Sequence, residues 1–230
     1  MNKEDMITID GPAGSGKSTL AKNLAVALGW NYLDTGALYR AVALWALENG
    51  YAAGDGDKVG EMAEKLELRF VNLSGENRVF ISDRDVTGLI RTAEISSLSS
   101  SLSAYPKVRA SLVSIQRRLG QYGALVAEGR DMGTVIFPWA KLKFFLSADP
   151  ATRARRRHHQ MIMEGQPSNL ENVLADILAR DRNDSLRQAS PLKADPMAVV
   201  IDSTNLSLFE VETIMIGQAQ KIFGSNFSLN

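Results

Sequence analysis

The chain has no cysteine, and that absence removes disulfide scaffolds, zinc ribbons and thiol nucleophiles from consideration. Its two histidines, His158 and His159, are adjacent. Neighbouring side chains on a helix diverge by ~100°, so with no third ligand at metal spacing they read as surface residues. Neither charge is in excess, since Lys+Arg and Asp+Glu both number 26, and no net field calls for nucleic acid or a membrane surface as partner. No apolar run approaches the ~18 residues needed to cross a bilayer. The charged segment Met1 to Met6 runs straight into an apolar stretch and leaves no room for a signal peptide, so a cytoplasmic protein is expected. The neutral balance and the lack of a long apolar run also favour a monomer.

What remains is ordinary globular material: 45% hydrophobic and 23% charged over 230 residues, enough for one main domain with insertions. Within it, Gly11-Pro12-Ala13-Gly14-Ser15-Gly16-Lys17-Ser18 fits the phosphate-loop pattern G-x-x-x-x-G-K-[ST], followed by Thr19. Met6-Ile7-Thr8-Ile9 ahead of it reads as a buried strand, and Ser18 to Leu28 carries apolar residues at helical spacing. Strand, glycine loop and helix together make an anion cradle from inward-pointing N–H groups and the positive end of the helix. Lys17 would reach the β and γ phosphates of a nucleotide, and the Ser18 hydroxyl would ligate Mg²⁺.

Further along, strands are expected at 30–33, 125–127, 141–146 and 197–201, with helices at 36–48, 91–103, 106–121, from 150, from about 170, and 207–223. The glycine-rich stretch 50–60 reads as a loop or hinge, and Leu44, Trp45 and Leu47 as core. Alternation over Leu66–Val71 and Arg78–Ile81, separated by Ser74-Gly75-Glu76-Asn77, predicts a β-hairpin inside an inserted subdomain of about residues 58–90. Asp149-Pro150 suits a helix start, and Ser207 with Glu210 a capping box.

Three constellations accompany the phosphate loop. Asp34 to Arg40 offers Thr35, Tyr39 and Arg40 just past a strand, fit for a second phosphate; the plainer alternative is a capped helix with a packed tyrosine and a solvated arginine. Glu128 to Thr134 sets Arg130 beside Asp131 where a strand ends, the edge at which open α/β sheets bind ligands, unless the two form an ion pair. Arg153, Arg155, Arg156 and Arg157 crowd one helix and repel, so either an anionic ligand or the acidic residues Asp176, Asp181 and Asp184 would relieve them. For Arg157 the two readings are inseparable. A phosphate loop alone leaves kinases, GTPases, motor-type ATPases and non-hydrolysing binders open. Two GTPase-like strings fail on position: Asn2-Lys3-Glu4-Asp5 precedes the phosphate loop, and Asp85-Val86-Thr87-Gly88 falls in the inserted subdomain.

Taken in order, the phosphate loop, Leu33 to Arg40, Gly129 to Pro138 and Arg180 to Ser185 resemble bacterial cytidylate kinases, phosphate-loop nucleoside monophosphate kinases of the type 1 family, from about Met6 to Phe223. Adenylate, thymidylate and shikimate kinases share only the first motif. The resemblance implies a three-layer α/β sandwich around a five-stranded parallel sheet, with a small antiparallel β subdomain inserted and a helical-hairpin lid. Within a single domain, 1–230, it implies a monophosphate-binding region at 36–105 and a lid at 150–185. It implies ATP and Mg²⁺ as cofactors, small-molecule nucleotides as the only partners, and transfer of the γ-phosphoryl group of ATP to CMP or dCMP. Ser100, Arg109 and Asp131 would then read the cytosine, and Arg40, Arg130 and Arg187 clamp the acceptor phosphate. Tyr39, Arg180 and Asp184 would lie around phosphate and ribose. Thr35 keeps the hydroxyl that some relatives carry on serine, and Arg153 and Arg157 would act with Lys17 on the transferred group. A small-molecule kinase with another phosphate acceptor, or a nucleotide sensor without turnover, is the alternative.

Overall fold

The computed structural model describes residues 5–73, 76–121 and 123–224. Five strands form a parallel sheet: β1 (Met6–Asp10), β2 (Asn31–Asp34), β6 (Leu125–Gly129), β7 (Leu142–Ser147) and β8 (Val199–Asp202), in the order β2-β6-β1-β7-β8. β1 lies between β6 and β7, is buried on both faces, and reads accordingly as a near-continuous apolar run.

Alternation along β1 divides the sandwich. Ile7 and Ile9 face α1 (Lys17–Leu28) and α8 (Leu208–Phe223), packing with Leu20, Leu24, Phe144 and Met215. Met6 joins the opposite layer with Leu33, Ala127, Met132 and Phe137. Thr8 and Asp10 share the parity of Met6, so the two polar residues of β1 point away from α1. The helix starts follow their capping chemistry. Asp149 accepts the Thr152 N–H at 3.0 Å to open α6 (Pro150–Met163), and Ser207 and Glu210 form the capping box of α8.

A second cluster joins α2 (Thr35–Glu48), α3 (Gly56–Ala63), α4 (Ala93–Leu102) and α5 (Pro106–Leu119) to an antiparallel sheet, β3 (Leu68–Leu73), β4 (Glu76–Ile81) and β5 (Arg84–Asp85). The expected hairpin is β3–β4; Ser74 and Gly75 of its turn lie outside the described residues. The short β5 was not anticipated. α6 and α7 (Leu170–Leu186) form a helical hairpin with its own small core of Ala154, Val173 and Ile177.

Two expectations need correction. The glycine-rich stretch 50–60 is not a hinge but runs into α3, and two of its glycines, Gly56 and Gly60, serve packing. A Cβ on Gly56 would stand 2.1 Å from the Tyr105 ring, and one on Gly60 2.5 Å from Lys107 Cβ. Leu47 is exposed, while Leu44 is buried and Trp45 stacks on Tyr51 at 5.7 Å. Among the described residues no helix is long and apolar enough to cross a membrane.

Leu24, 1% exposed, sits where α1 meets the sheet and α8. Leu24→Ala is expected to lower stability by about 2–5 kcal/mol, read as a reduced midpoint in urea with an unchanged slope.

Candidate active site

The phosphate loop leaves β1 at Gly11, where a Cβ would lie 2.1 Å from the Leu146 carbonyl oxygen, so the approach of β7 admits no side chain. Gly14 and Gly16 have φ of +74° and +94°, the left-handed region open to glycine. α1 begins at Lys17 with no side chain capping it, so its first N–H groups remain available to an anion. Lys17 Nζ donates to the Pro12 carbonyl at 2.7 Å and to Ser15 Oγ at 3.4 Å. Burial first, and the Arg130 guanidinium second, pull its ammonium down to about 7.

Three buried acidic residues stand at the carboxyl edge of the sheet. Glu128 lies within the buried run of β6, accepts the Tyr32 hydroxyl at 2.7 Å and is hydrogen-bonded by Ser18; burial, then Asp34, holds its carboxyl above the ordinary range. A serine hydroxyl backed by a carboxylate is a hard oxygen donor set, which suits Mg²⁺. Asp10 ends β1, and its two oxygens accept the Met132 and Gly133 N–H groups, each at 2.8 Å. Asp131 pairs with Arg109, both almost fully buried, and Arg109 lies over the Tyr39 ring at 5.4 Å. Arg130 and Asp131, adjacent in sequence, therefore do not pair with each other. Arg130 Nε instead donates to Asp184 at 2.8 Å, and Arg187 Nη1 to the other Asp184 oxygen at 3.4 Å.

Some donors already have partners and others do not. Thr35 Oγ1 donates to the Glu128 carbonyl at 2.7 Å, and Arg40 pairs at 2.8 Å with Asp34, which also caps α2. Arg109 Nε and Arg187 Nη2 are buried without a hydrogen-bond partner, the condition that calls for a ligand or water. Arg180 lines the cleft and, among the described residues, has no hydrogen bond or ion pair; burial lowers its pKa, with Arg130 and Arg157 adding to the effect. Four guanidiniums thus converge where an anion would fit.

The arginines of α6 divide. Arg153 is buried, donates through Nε to the Ala148 carbonyl at 2.8 Å and through Nη1 to the Ala13 carbonyl at 3.0 Å, and holds Asp181 with both terminal nitrogens at 3.0 and 2.6 Å. Its place is behind the phosphate loop. Arg156 ties α6 to the loop after β8 through Ser203 and Leu206. Arg157 lines the cleft and, among the described residues, hydrogen-bonds Gln160 alone, at 3.0 Å. His158 and His159 gather no metal cluster among the described residues.

One cleft of about 1340 Å³ runs from Ala13 to Val211, above the several hundred to 1,000 Å³ usual for a single small ligand. Of the residues expected at the site, Ala13 to Thr19, Thr35, Tyr39, Arg40, Ser100, Arg109, Arg130, Asp131, Arg157, Arg180, Asp184 and Arg187 line it. Gly11, Pro12 and Arg153 do not. Ser96, Ser97, Ser99, Ser101 and Ser103 line it with Ser100, but Ser101 and Ser103 donate to helix carbonyls. Asp10, Tyr32 and Glu128 were not identified from the sequence as site residues. The available signal was an acidic residue at or next to the end of a mostly apolar strand, Asp10 in Met6–Asp10 and Glu128 in Leu125–Gly129.

Asp10 is pushed up from 3.8 to about 6, by burial foremost and by Asp131, against the two N–H bonds and Lys17. An acid with a raised folded pKa binds its proton more tightly in the native state. Its contribution to stability is therefore present at low pH and is lost as pH rises from about 4 to about 6. At about 1.4 kcal/mol per pH unit the change is on the order of 3 kcal/mol. The stability of Asp10→Asn relative to the parent should rise across that window and level off above pH 7 in urea unfolding; a flat difference would refute the assignment.

A family model described as cytidylate kinase matches residues 7–221. The cytidylate kinase of Carboxydothermus hydrogenoformans is 42% identical over 205 residues, spanning 89% of this chain and 92% of that protein. That of Nitrosococcus oceani is 45% identical over 214 residues, 92% of this chain and 94% of that protein. An uncharacterized protein from Eubacterium ventriosum superposes with a TM-score of 0.51 at 12% identity, over 95% of this chain and 99% of that one, which bears on the fold alone. With strand, glycine loop and convergent arginines in place and the match running nearly end to end, the chain belongs to the cytidylate kinase family.

Proposed function

We infer that this protein transfers the γ-phosphoryl group of ATP to CMP or dCMP, giving ADP and CDP or dCDP. The observation that carries the reading is a single cleft with the Lys17 phosphate loop at one part, the buried Arg109–Asp131 pair at another, and Arg130, Arg180 and Arg187 lining it too. Two nucleotides set phosphate to phosphate would meet a guanidinium cluster at the point of transfer. CMP, dCMP and ATP are its partners, with no nucleic acid or membrane involved, and the reaction belongs to cytoplasmic pyrimidine metabolism, run by a monomer.

The loop from Gly11 to Thr19 takes the donor phosphates. Lys17 exchanges its Pro12 carbonyl for phosphate oxygens, whose charge opposes the burial that depresses its ammonium. Ser18, whose hydroxyl Glu128 orients, would hold the Mg²⁺ carried in with the nucleotide, an ion that would supply charge neutralisation to the donor phosphates. Transfer proceeds through a loose transition state with no covalent enzyme intermediate, so the protein contributes positioning and charge. Lys17, Arg157 and Arg180 spread negative charge off the transferred group. Arg153, clamped between Ala13 and Asp181, transmits lid position to the phosphate loop. Closure of the 150–185 hairpin excludes water and suppresses hydrolysis.

The 36–105 region, with the β subdomain, accepts the monophosphate. Arg40, Arg130 and Arg187 clamp its phosphate, with Thr35, Tyr39, Arg180 and Asp184 around phosphate and ribose. Cytosine presents an amino donor beside ring-nitrogen and carbonyl acceptors. Asp131 accepts from the amino group, while Arg109 and Ser100 address the acceptors. Uracil carries an oxygen where cytosine carries the amine, and that oxygen would face the Asp131 carboxylate unpaired.

Purified protein with Mg-ATP should release ADP with CMP and dCMP and much less with UMP, AMP or dTMP. Lys17→Ala should abolish nearly all transfer with an unchanged circular dichroism spectrum, and near-normal turnover in that variant would sink the phosphate-loop assignment. Asp131→Asn, which keeps shape and removes charge, should raise the KM for CMP at least tenfold, the worth of about 1.4 kcal/mol, with little change in the KM for ATP. An equal rise in both would reject its role on the base.

A further inference from the structure

Asp131 occupies the position that opens a five-residue π turn, Met132–Ile136, yet its side chain does not cap that turn. An aspartate there ordinarily bonds the N–H groups of its own first turn. Here the second of the turn's N–H groups, that of Gly133, is taken together with the Met132 N–H by Asp10 from the end of β1, one to each carboxylate oxygen at 2.8 Å. The backbone carbonyl of Asp131 accepts from Val135 and Ile136 at 2.9 and 3.1 Å, which closes the turn from the other side. The Asp131 carboxylate is thereby left free to hold Arg109 in the cleft wall.

We propose that Asp10 is a positioning residue: it caps the 132–136 turn from outside and so releases Asp131 for the base of the acceptor nucleotide. The inference rests on the cytidylate kinase reading for what Asp131 contacts, but the capping geometry is independent of it. Asp10 does not line the cleft, and it directly precedes Gly11, so one residue joins the phosphate loop to the segment that carries Arg130 and Asp131. The junction is tight. A Cβ on Gly133 would stand 2.9 Å from Thr8 Oγ1, 3.1 Å from Lys143 Cδ and 3.4 Å from Asp10 Oδ2. Both oxygens are needed as acceptors, because an asparagine there would turn an NH₂ group towards one of the two N–H groups.

In Asp10→Asn the released N–H group competes for the Asp131 carboxylate, and the acceptor site loses definition while the donor cradle keeps its backbone. The expected result is a rise of at least fivefold in the KM for CMP, a change below twofold in the KM for ATP, and a smaller preference for CMP over UMP. Equal rises in both KM values, or no change in either, would overturn the proposal. Gly133→Ala pushes the turn off β1 without altering charge and should reproduce the same split, which keeps the test decisive if Asp10→Asn fails to fold. Amide exchange followed by NMR supplies a readout without turnover: Met132 and Gly133 should exchange at least tenfold faster in the variant, and unchanged protection would also overturn the proposal. If the parent protein fails to phosphorylate CMP, the functional reading falls, while the exchange data still decide whether Asp10 holds the turn.

Discussion

The Asp184 carboxylate carries the arrangement of the site, because three segments meet on it. It sits near the end of α7, accepts Arg130 from the loop after β6 at 2.8 Å, and accepts Arg187 from just past α7 at 3.4 Å. Without that shared acid, two guanidiniums would repel across a poorly solvated space close to Lys17 and Arg180. The two arginines that bracket it hold its own carboxyl below the usual range even though burial acts the other way. A cleft meant for polyphosphates must be cationic before they arrive, and a folded chain tolerates such a cluster only if some of the charge is already paired. Asp184 pairs enough of it to keep the site assembled and, among the described residues, leaves Arg180 without a hydrogen bond or ion pair and Arg187 Nη2 without a hydrogen bond.

A similar economy holds at the carboxyl edge of the sheet. Asp131 neutralises Arg109, Asp10 is held by two backbone N–H groups, and Glu128 accepts from Tyr32 and Ser18. Each carboxylate is buried, and burial drives Asp10 and Glu128 towards their neutral forms. Their placement is therefore a stability cost concentrated where β1 and β6 end, offset by cores on both faces of the sheet. Glycine serves the same purpose of close approach: Gly11 admits the Leu146 carbonyl, and Gly133 admits Thr8 and Lys143.

How much of this was legible in the sequence depended on whether a feature was local. The phosphate loop could be read because its function needs contiguous residues whose backbone does the binding, and the caps at Asp149 and Ser207 could be read because they act within three residues. The glycines at 56 and 60 misled, since the letter alone does not distinguish a turn from a close helix contact; only the packing of α3 on α5 shows that Tyr105 and Lys107 occupy the space. The pairing of Arg130 with Asp184 spans 54 residues and that of Arg109 with Asp131 spans 22. No periodicity links them. The adjacency of Arg130 and Asp131 left an ion pair open as one reading, and the bend that follows β6 sends them apart to Asp184 and Arg109.

The same alternation explains why Asp10 escaped notice and why it matters. In β1, Ile7 and Ile9 face α1, so Asp10 faces the layer that holds Met132 and the π turn. A strand so apolar has no use for a terminal acid in its core, and an acid immediately before a phosphate loop adds negative charge where phosphates must bind. Both objections disappear once its two oxygens are committed to N–H groups 122 and 123 residues away. The turn held by Asp10 and the carboxylate of Asp184 then flank the single dipeptide Arg130-Asp131 from opposite sides. Fixing the loop at both ends lets two adjacent residues take different partners, Arg130 the Asp184 carboxylate and Asp131 the Arg109 guanidinium.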